Sequence, residues 1–164
     1  MEAPSIEKAQ NQAFRLLAQR PRSEKELRNR LLQSYPQDIT DCVIQKCKDG
    51  GYLSDKEFAL TRTRQLALHR LQGDRAIEAD LFGKGLDGNT ISDAIKIVRR
   101  KLSESEAIKK LIAKRQKNQS LSDRHEKEKM GRYLLSRGFA PELIFEILNR
   151  QAVRSQTDCE EDVF

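Results

Sequence analysis

The sequence predicts an all-α protein of three tandem three-helix repeats in a thin, extended array. Apolar residues recur at helical spacing in nine successive segments, which turn and capping signals separate. The apolar positions of three of these segments (Leu27, Ile77 and Met130) repeat after 50 and then 53 residues. With 34% charged residues, 37% hydrophobic residues and no Trp, the chain has little material for one thick core. A single closed bundle is the alternative, but shared turn and cap positions favour repeats.

The first predicted repeat spans residues 1–53. Its first amphipathic helix ends at Arg20–Pro21, because proline disfavours helix in the residue before it. Ser23 and Glu26 have the spacing of a capping box, which predicts the start of a second helix there. Pro36 separates that helix from a third.

A sharp corner is predicted between the first and second repeats. Gly50–Gly51 ends one helix, since glycine readily takes the left-handed conformation that follows a last turn. Ser54 and Glu57 form another capping box and start the next helix. Tyr52 and Phe58 flank this cap, and we expect both rings to lie in the core at the corner.

The second predicted repeat spans residues 54–102. A long helix is predicted over 55–71 and a short one over 75–83. After a glycine-rich turn, Thr90 and Asp93 are the candidate cap of the third helix.

The third predicted repeat spans residues 103–153, and an acidic, disordered tail is predicted over 154–164. A capping box at Ser103–Glu106 opens its first helix. The polar residues 118–123 predict a loop, and Pro141 suits the first position of the last helix.

The chain is basic, with a formal net charge of +6, and the excess is concentrated. The segment Lys96–Lys117 has nine basic and two acidic residues, a local charge of +7. Such a segment is often only a solvated helix face, but its density favours an anionic partner.

Several classes of function are excluded by what the sequence lacks. The three cysteines (Cys42, Cys47 and Cys159) match no zinc or redox spacing, and no phosphate-binding loop or catalytic constellation is present. We therefore expect no enzyme activity, metal or cofactor. The sequence has no apolar run of the roughly 20 residues that cross a bilayer and no secretion signal, so we expect a cytoplasmic protein that binds no membrane.

Four motifs follow one another in a recognisable order: Arg20–Leu27, Gly51–Ala59, the set of Gly73, Ile77 and Lys84–Gly85, and Leu134–Phe139. In this order they resemble the RecX family, bacterial regulators of the RecA recombinase. The resemblance extends over nearly the whole chain.

The resemblance implies an elongated, curved protein that docks into the groove of a RecA filament on single-stranded DNA. Such a protein would inhibit the ATPase, strand-exchange and co-protease activities of RecA, and so modulate DNA repair, recombination and the SOS response. It would contact the filament and its single-stranded DNA, and we expect it to act as a monomer. The alternative is a stand-alone, basic, helical DNA-binding module, against which the scarcity of aromatic residues for base stacking counts modestly.

The candidate contact residues are polar or basic positions on the predicted helices and turns. Those before residue 31 are more simply explained as a solvated helix face, whereas the segment Lys96–Lys117 favours binding. The full set is Arg20, Arg22, Lys25, Arg28, Arg62, Gln65, His69, Arg70, Arg75, Lys84, Arg99, Arg100, Lys101, Lys109, Lys110, Lys114 and Arg115.

Overall fold

The computed structural model describes residues 5–116 and 124–157, and within these ranges it contains helices and no strand. The nine α-helices of the described residues are α1 (Ile6–Gln19), α2 (Glu24–Leu32), α3 (Gln37–Asp49), α4 (Asp55–Arg64), α5 (Asp74–Gly83), α6 (Gly88–Arg99), α7 (Glu104–Gln116), α8 (Arg124–Ser136) and α9 (Pro141–Thr157). A π-helical segment, Gln65–His69, follows α4 directly. The all-α prediction is confirmed.

Two sequence predictions fall wholly or partly outside this range. The loop predicted over 118–123 lies outside the described residues. The helix α9 extends to Thr157, past the predicted start of the tail at residue 154, and residues 158–164 lie outside the described residues.

The predicted capping boxes form to different degrees. At the start of α7 the box is complete, because the Glu106 amide donates to Ser103 Oγ at 3.3 Å and the Ser103 amide donates to Glu106 Oε2 at 2.8 Å. At the start of α2 the Glu26 amide donates to Ser23 Oγ at 3.2 Å. The Glu26 carboxylate there accepts from Lys84 Nζ instead of returning to the serine amide.

The cap predicted for α6 is wrong, because the helix starts earlier. It begins at Gly88, and the carboxylate of Asp87 accepts hydrogen bonds from the Thr90 amide at 2.9 Å and the Thr90 hydroxyl at 2.6 Å. Asp87 is therefore the N-cap of α6, and aspartate is as favourable as serine or threonine at that position.

At the corner after α3, the predicted burial of the aromatic ring is confirmed for Phe58 and wrong for Tyr52. Phe58 is buried at 6% exposure, whereas Tyr52 is 64% exposed and its ring packs edge-on against Phe14, 5.0 Å between centroids. Leu53 takes the inward position in place of Tyr52.

The chain divides into two compact units, each with its own core. Of the described residues, unit 1 comprises 5–62 and 80–94, and unit 2 comprises 63–79, 95–116 and 124–157. The core of unit 1 consists of Ala9, Ala13, Leu27, Leu31, Val43, Ile44, Cys47 and Leu53. The core of unit 2 consists of Leu102, Ala107, Ile108, Leu111, Ile112, Met130, Leu134, Phe139, Ile144 and Ile147.

The same helix-capping contact occurs once in each unit. In unit 1 the amide of Glu24, at the start of α2, donates to Asp55 Oδ1 at 2.8 Å. In unit 2 the amide of Asp74, at the start of α5, donates to Glu104 Oε1 at 2.9 Å. Each acceptor is the first residue of its own helix, α4 or α7. A short helix is thus capped by a carboxylate from the start of a later helix.

A second contact at the same helix ends is also repeated. In unit 1 the Ser23 hydroxyl donates to the Lys84 carbonyl at 2.7 Å, in the turn after α5. In unit 2 the Gly73 amide donates to the Arg137 carbonyl at 2.9 Å, in the turn after α8. The sequence period therefore has a structural counterpart, and the chain is a helical repeat array. The repeat boundaries given above stay a prediction.

Candidate functional site

The helix predicted over 55–71 changes its hydrogen bonding before it ends. It is α-helical to Arg64 and π-helical over Gln65–His69, and Leu71 then adopts a positive φ of 51°. Short π-helical segments in proteins are often found at functional sites. Because a π turn holds an extra residue, Arg62 and His69 do not keep the relative positions that one continuous α-helix over 55–71 would give them.

Two arginines of unit 2 hold the loop that follows the π-helical segment. Arg137 Nη1 donates to the Arg70 carbonyl at 2.5 Å, and Arg99 Nη2 donates to the Gln72 carbonyl at 2.7 Å. Arg99 also pairs with Asp74 through Nε at 2.7 Å, and its side chain is only 12% exposed. Arg99 therefore has a structural role in this loop.

Tyr133 contacts two guanidinium groups. The Arg115 guanidinium carbon lies 3.8 Å from the centre of the Tyr133 ring and that of Arg137 lies 5.2 Å away, both within cation–π range. Sequence reasoning included Arg115 but missed Tyr133 and Arg137. Their spacing of four residues, from the last turn of α8 to the residue that follows it, was the available signal, because residues four apart lie on one face of a helical turn.

Ten of the candidate contact residues are exposed in unit 2. Eight of them form no ion pair or side-chain hydrogen bond with another residue that the structure describes; the other two are Gln65 and Arg115, which contacts Tyr133. We call the five between Arg100 and Lys114 the basic surface. The eight are His69, Arg70, Arg75 and, in the basic surface, Arg100, Lys101, Lys109, Lys110 and Lys114. Gln65, which is also exposed, lies at the start of the π-helical segment.

The candidate residues of unit 1 are occupied by contacts inside the protein. Arg62 makes a bidentate pair with Asp80, with Nε and Nη2 each 2.8 Å from a carboxylate oxygen. Arg20 and Lys84 both pair with Glu26, at 3.2 and 2.7 Å. These side chains connect segments of the fold to one another.

The remaining candidates of unit 1 are also engaged. Arg28 pairs with Glu24 at 3.1 Å and with Asp41. Arg22 Nε donates to the Leu16 carbonyl at 3.2 Å, and Lys25 Nζ donates to the Gly83 carbonyl at 3.5 Å.

These pairs change the pKa values of the carboxylates involved. The hydrogen bond from Arg62 lowers the pKa of Asp80, and that from Lys48 lowers the pKa of Glu24. Burial raises the pKa of Glu26, but the hydrogen bonds from Lys84 and Arg20 outweigh it and leave that pKa below its ordinary value.

Within 5–116 and 124–157, no group of three or more His, Cys, Asp or Glu side chains is placed to hold a metal ion. The thiol of Cys47 is buried, which raises its pKa. No helix in the described part is long and apolar enough to span a bilayer.

Comparison with known families identifies the two ends of the chain. Residues 9–47 match the model described as RecX, first three-helix domain, and residues 103–148 match RecX, third three-helix domain. Together the two matches cover slightly more than half of the chain. The chain belongs to the RecX family.

RecX proteins of known sequence and structure agree with this assignment. The chain is 30% identical over 143 residues to "Regulatory protein RecX" of Listeria monocytogenes serotype 4a, covering 87% of this chain and 53% of that relative. It is 29% identical over 147 residues to the RecX protein of Syntrophotalea carbinolica, covering 87% and 95%. The crystal structure of RecX from Lactobacillus salivarius has a TM-score of 0.78 at 26% identity, covering 88% of this chain and 95% of that one. The chain spans about half the length of the Listeria relatives that it matches.

Proposed function

We propose that this RecX-family chain is a non-enzymatic regulator that binds the RecA filament on single-stranded DNA. In this proposal it acts as a monomer in the cytoplasm, inhibits the ATPase, strand-exchange and co-protease activities of RecA, and so modulates DNA repair, recombination and the SOS response. The supporting observation is the exposed basic surface of unit 2, together with the regulatory name that the relatives carry.

The basic surface is suited to an anionic partner for an electrostatic reason. Its side chains are exposed and none forms an ion pair with a carboxylate of the described residues, although, after the hydrogen bonds from Ser103, the charges of Lys110 and Lys109 help to lower the pKa of nearby Glu106. A cation in that state can approach a phosphate without first losing an ion pair, and phosphate contacts release condensed counterions. A filament that presents DNA phosphates beside acidic protein side chains would be attracted to the same surface.

The second candidate function is a stand-alone DNA-binding module, and one finding favours it. The sequence suggested that few aromatic side chains would be available for base stacking, yet Tyr52, Phe82 and Phe145 are 64%, 55% and 71% exposed. That argument against the module is therefore weaker than the sequence suggested. A module of this kind would bind naked DNA with a steep salt dependence.

The proposal is tested by RecA ATPase on single-stranded DNA, with and without substoichiometric amounts of this protein. We expect inhibition that weakens as salt is raised. Charge reversal of Lys110→Glu with Lys114→Glu should raise the concentration for half-inhibition on the order of tenfold. The matched control is Lys46→Glu with Lys56→Glu, two exposed lysines of unit 1 that form no ion pair with described residues.

Each result separates the two candidates. An unchanged ATPase rate at every salt concentration would refute the regulator. Tight binding to naked DNA, with a salt slope that falls by about 0.7 for each reversed lysine, would favour the module. Equal inhibition by both double variants would remove the basic surface from the site.

A further inference from the structure

An open cavity of about 560 Å³ lies on unit 1, between α1 and the end of α2. Cavities that hold small molecules in proteins typically measure 300–1,000 Å³. Its lining includes Lys8, Gln12, Arg15, Leu16, Arg30 and Tyr35. None of these residues belongs to the candidate contact set drawn from the sequence.

The charged residues of this lining are cations. Among the described residues that line the cavity, three are cations and none is a carboxylate. Arg15 is exposed and forms no ion pair or side-chain hydrogen bond with another described residue. Arg30 donates to Gln33 Oε1, a neutral amide that leaves the guanidinium charge uncompensated. Nearby Arg20 and Arg28, in contrast, each pair with a carboxylate.

The neutral groups of the cavity complete a set of donors. The Tyr35 hydroxyl donates to Gln12 Oε1 at 3.1 Å. This bond occupies the oxygen of the Gln12 amide, so the NH₂ end of that amide is available to donate. Half-buried Leu16 and Tyr35 add apolar surface to the lining. The cavity thus combines hydrogen-bond donors, positive charge and a small apolar wall.

We propose that this cavity binds a nucleoside di- or triphosphate. Arginine guanidinium groups bind phosphate oxygens through paired N–H donors, and here Arg15 and Arg30 would hold the phosphates with Lys8 adding charge. Leu16 and Tyr35 would contact the base. The cavity volume accommodates one nucleotide. The proposal does not depend on RecA, because the cavity and the basic surface use different residues.

The test is calorimetric titration of the full chain, without RecA or DNA, using ATP, ADP, AMP and adenosine. We expect affinity to rise with the number of phosphates, adenosine to give no measurable heat, and ATP binding to weaken as salt is added. Arg15→Gln should weaken ATP binding on the order of tenfold, because one charge-assisted bond is lost. Lys46→Gln, an exposed lysine on α3 outside the cavity, should leave it unchanged.

Three results would overturn the proposal. One is adenosine binding as tightly as ATP, since phosphate would then not be recognised. Another is equal ATP affinity in Arg15→Gln and Lys46→Gln, which would place the ligand elsewhere. The third is binding to an oligothymidylate without binding to ATP, which would make the cavity part of a nucleic-acid surface. None of these results depends on whether RecA is inhibited.

Discussion

Replacing Gly73 by alanine should destabilise the protein, because its backbone lies against the turn after α8. A Cβ atom at Gly73 would lie 2.4 Å from the carbonyl carbon and oxygen of Gly138 and 2.4 Å from the amide nitrogen of Phe139. These are backbone atoms, which cannot rotate aside as the end of a side chain can. The added methyl group must therefore push two backbone segments of unit 2 apart.

The expected size of the effect follows from these contacts. Forcing a methyl group into a packed site costs about 1–3 kcal/mol. Lengthening the 2.9 Å bond from the Gly73 amide to the Arg137 carbonyl forfeits about 0.5–1.5 kcal/mol more. A loss of about 3 kcal/mol in the free energy of unfolding would lower the Tm by roughly 6–12 °C in a chain of this size.

Two other glycines provide matched controls for the assay, which is urea and thermal unfolding followed by far-UV circular dichroism. Gly51 has a φ of +73°, and no atom lies within 4 Å of the place that a Cβ atom would take, so Gly51→Ala should cost about 1–2 kcal/mol from backbone strain alone. Gly83 has neither a close neighbour nor a positive φ, so Gly83→Ala should be neutral or stabilise α5 by up to about 1 kcal/mol. If Gly73→Ala and Gly83→Ala change the free energy of unfolding by the same amount, Gly73 does not pack closely against the turn after α8.

Two further predictions concern pH. The bond from Arg62 lowers the pKa of Asp80, so the stabilisation from this ion pair is present above the ordinary value of 3.8 and is lost as pH falls through the folded-state pKa. Asp80→Asn should therefore lower the free energy of unfolding by about 0.5–1 kcal/mol at pH 7 and by nothing in strong acid. Urea titrations that give the same difference between variant and wild type at both pH values would contradict this. Burial raises the pKa of Glu104 above its ordinary value of 4.5. Ionisation of this carboxyl group therefore lowers the free energy of unfolding as the pH rises from 4.5 through the folded-state pKa. Glu104→Gln keeps an acceptor for the Asp74 amide, so it should match or exceed the stability of the wild type at pH 7 and lose any gain below pH 4.5. Glu104→Ala removes the acceptor and should lose about 1 kcal/mol. An alanine variant as stable as the glutamine variant would show that the cap is not made by this side chain.

Features that depend on neighbouring residues could be predicted from the sequence. The capping box at Ser103 and Glu106 forms as expected because both partners lie within one turn of helix. The burial of Phe58 follows from the same local reasoning. The error at Tyr52 arose because two adjacent apolar residues, Tyr52 and Leu53, compete for one inward position, and the sequence alone does not rank them.

The π-helical segment could not be predicted, because its apolar residues also fit an α-helix. Leu66 and Ala67 are buried, and Leu68 and Leu71 pack against the core of unit 2. Spacings of one to five residues in this run are compatible with either helix type. The two helix types differ in where they place the loop that follows, and that loop is held by the hydrogen bond from Arg137 to the Arg70 carbonyl. These two residues are 67 positions apart in the sequence.

The same distance problem limits how far a count of basic residues predicts a binding surface. Arg62, Arg99 and Lys84 look like free surface cations in the sequence, but their carboxylate partners lie 18, 25 and 58 residues away. A paired cation must give up its carboxylate before it can bind a phosphate, and the exposed cations of the basic surface need not. Binding should therefore depend more on Lys110 and Lys114 than on the paired residues, although all were equal candidates by charge alone. Charge density in the sequence indicates where a surface is basic, whereas the ion pairs of the fold decide which of its cations remain available.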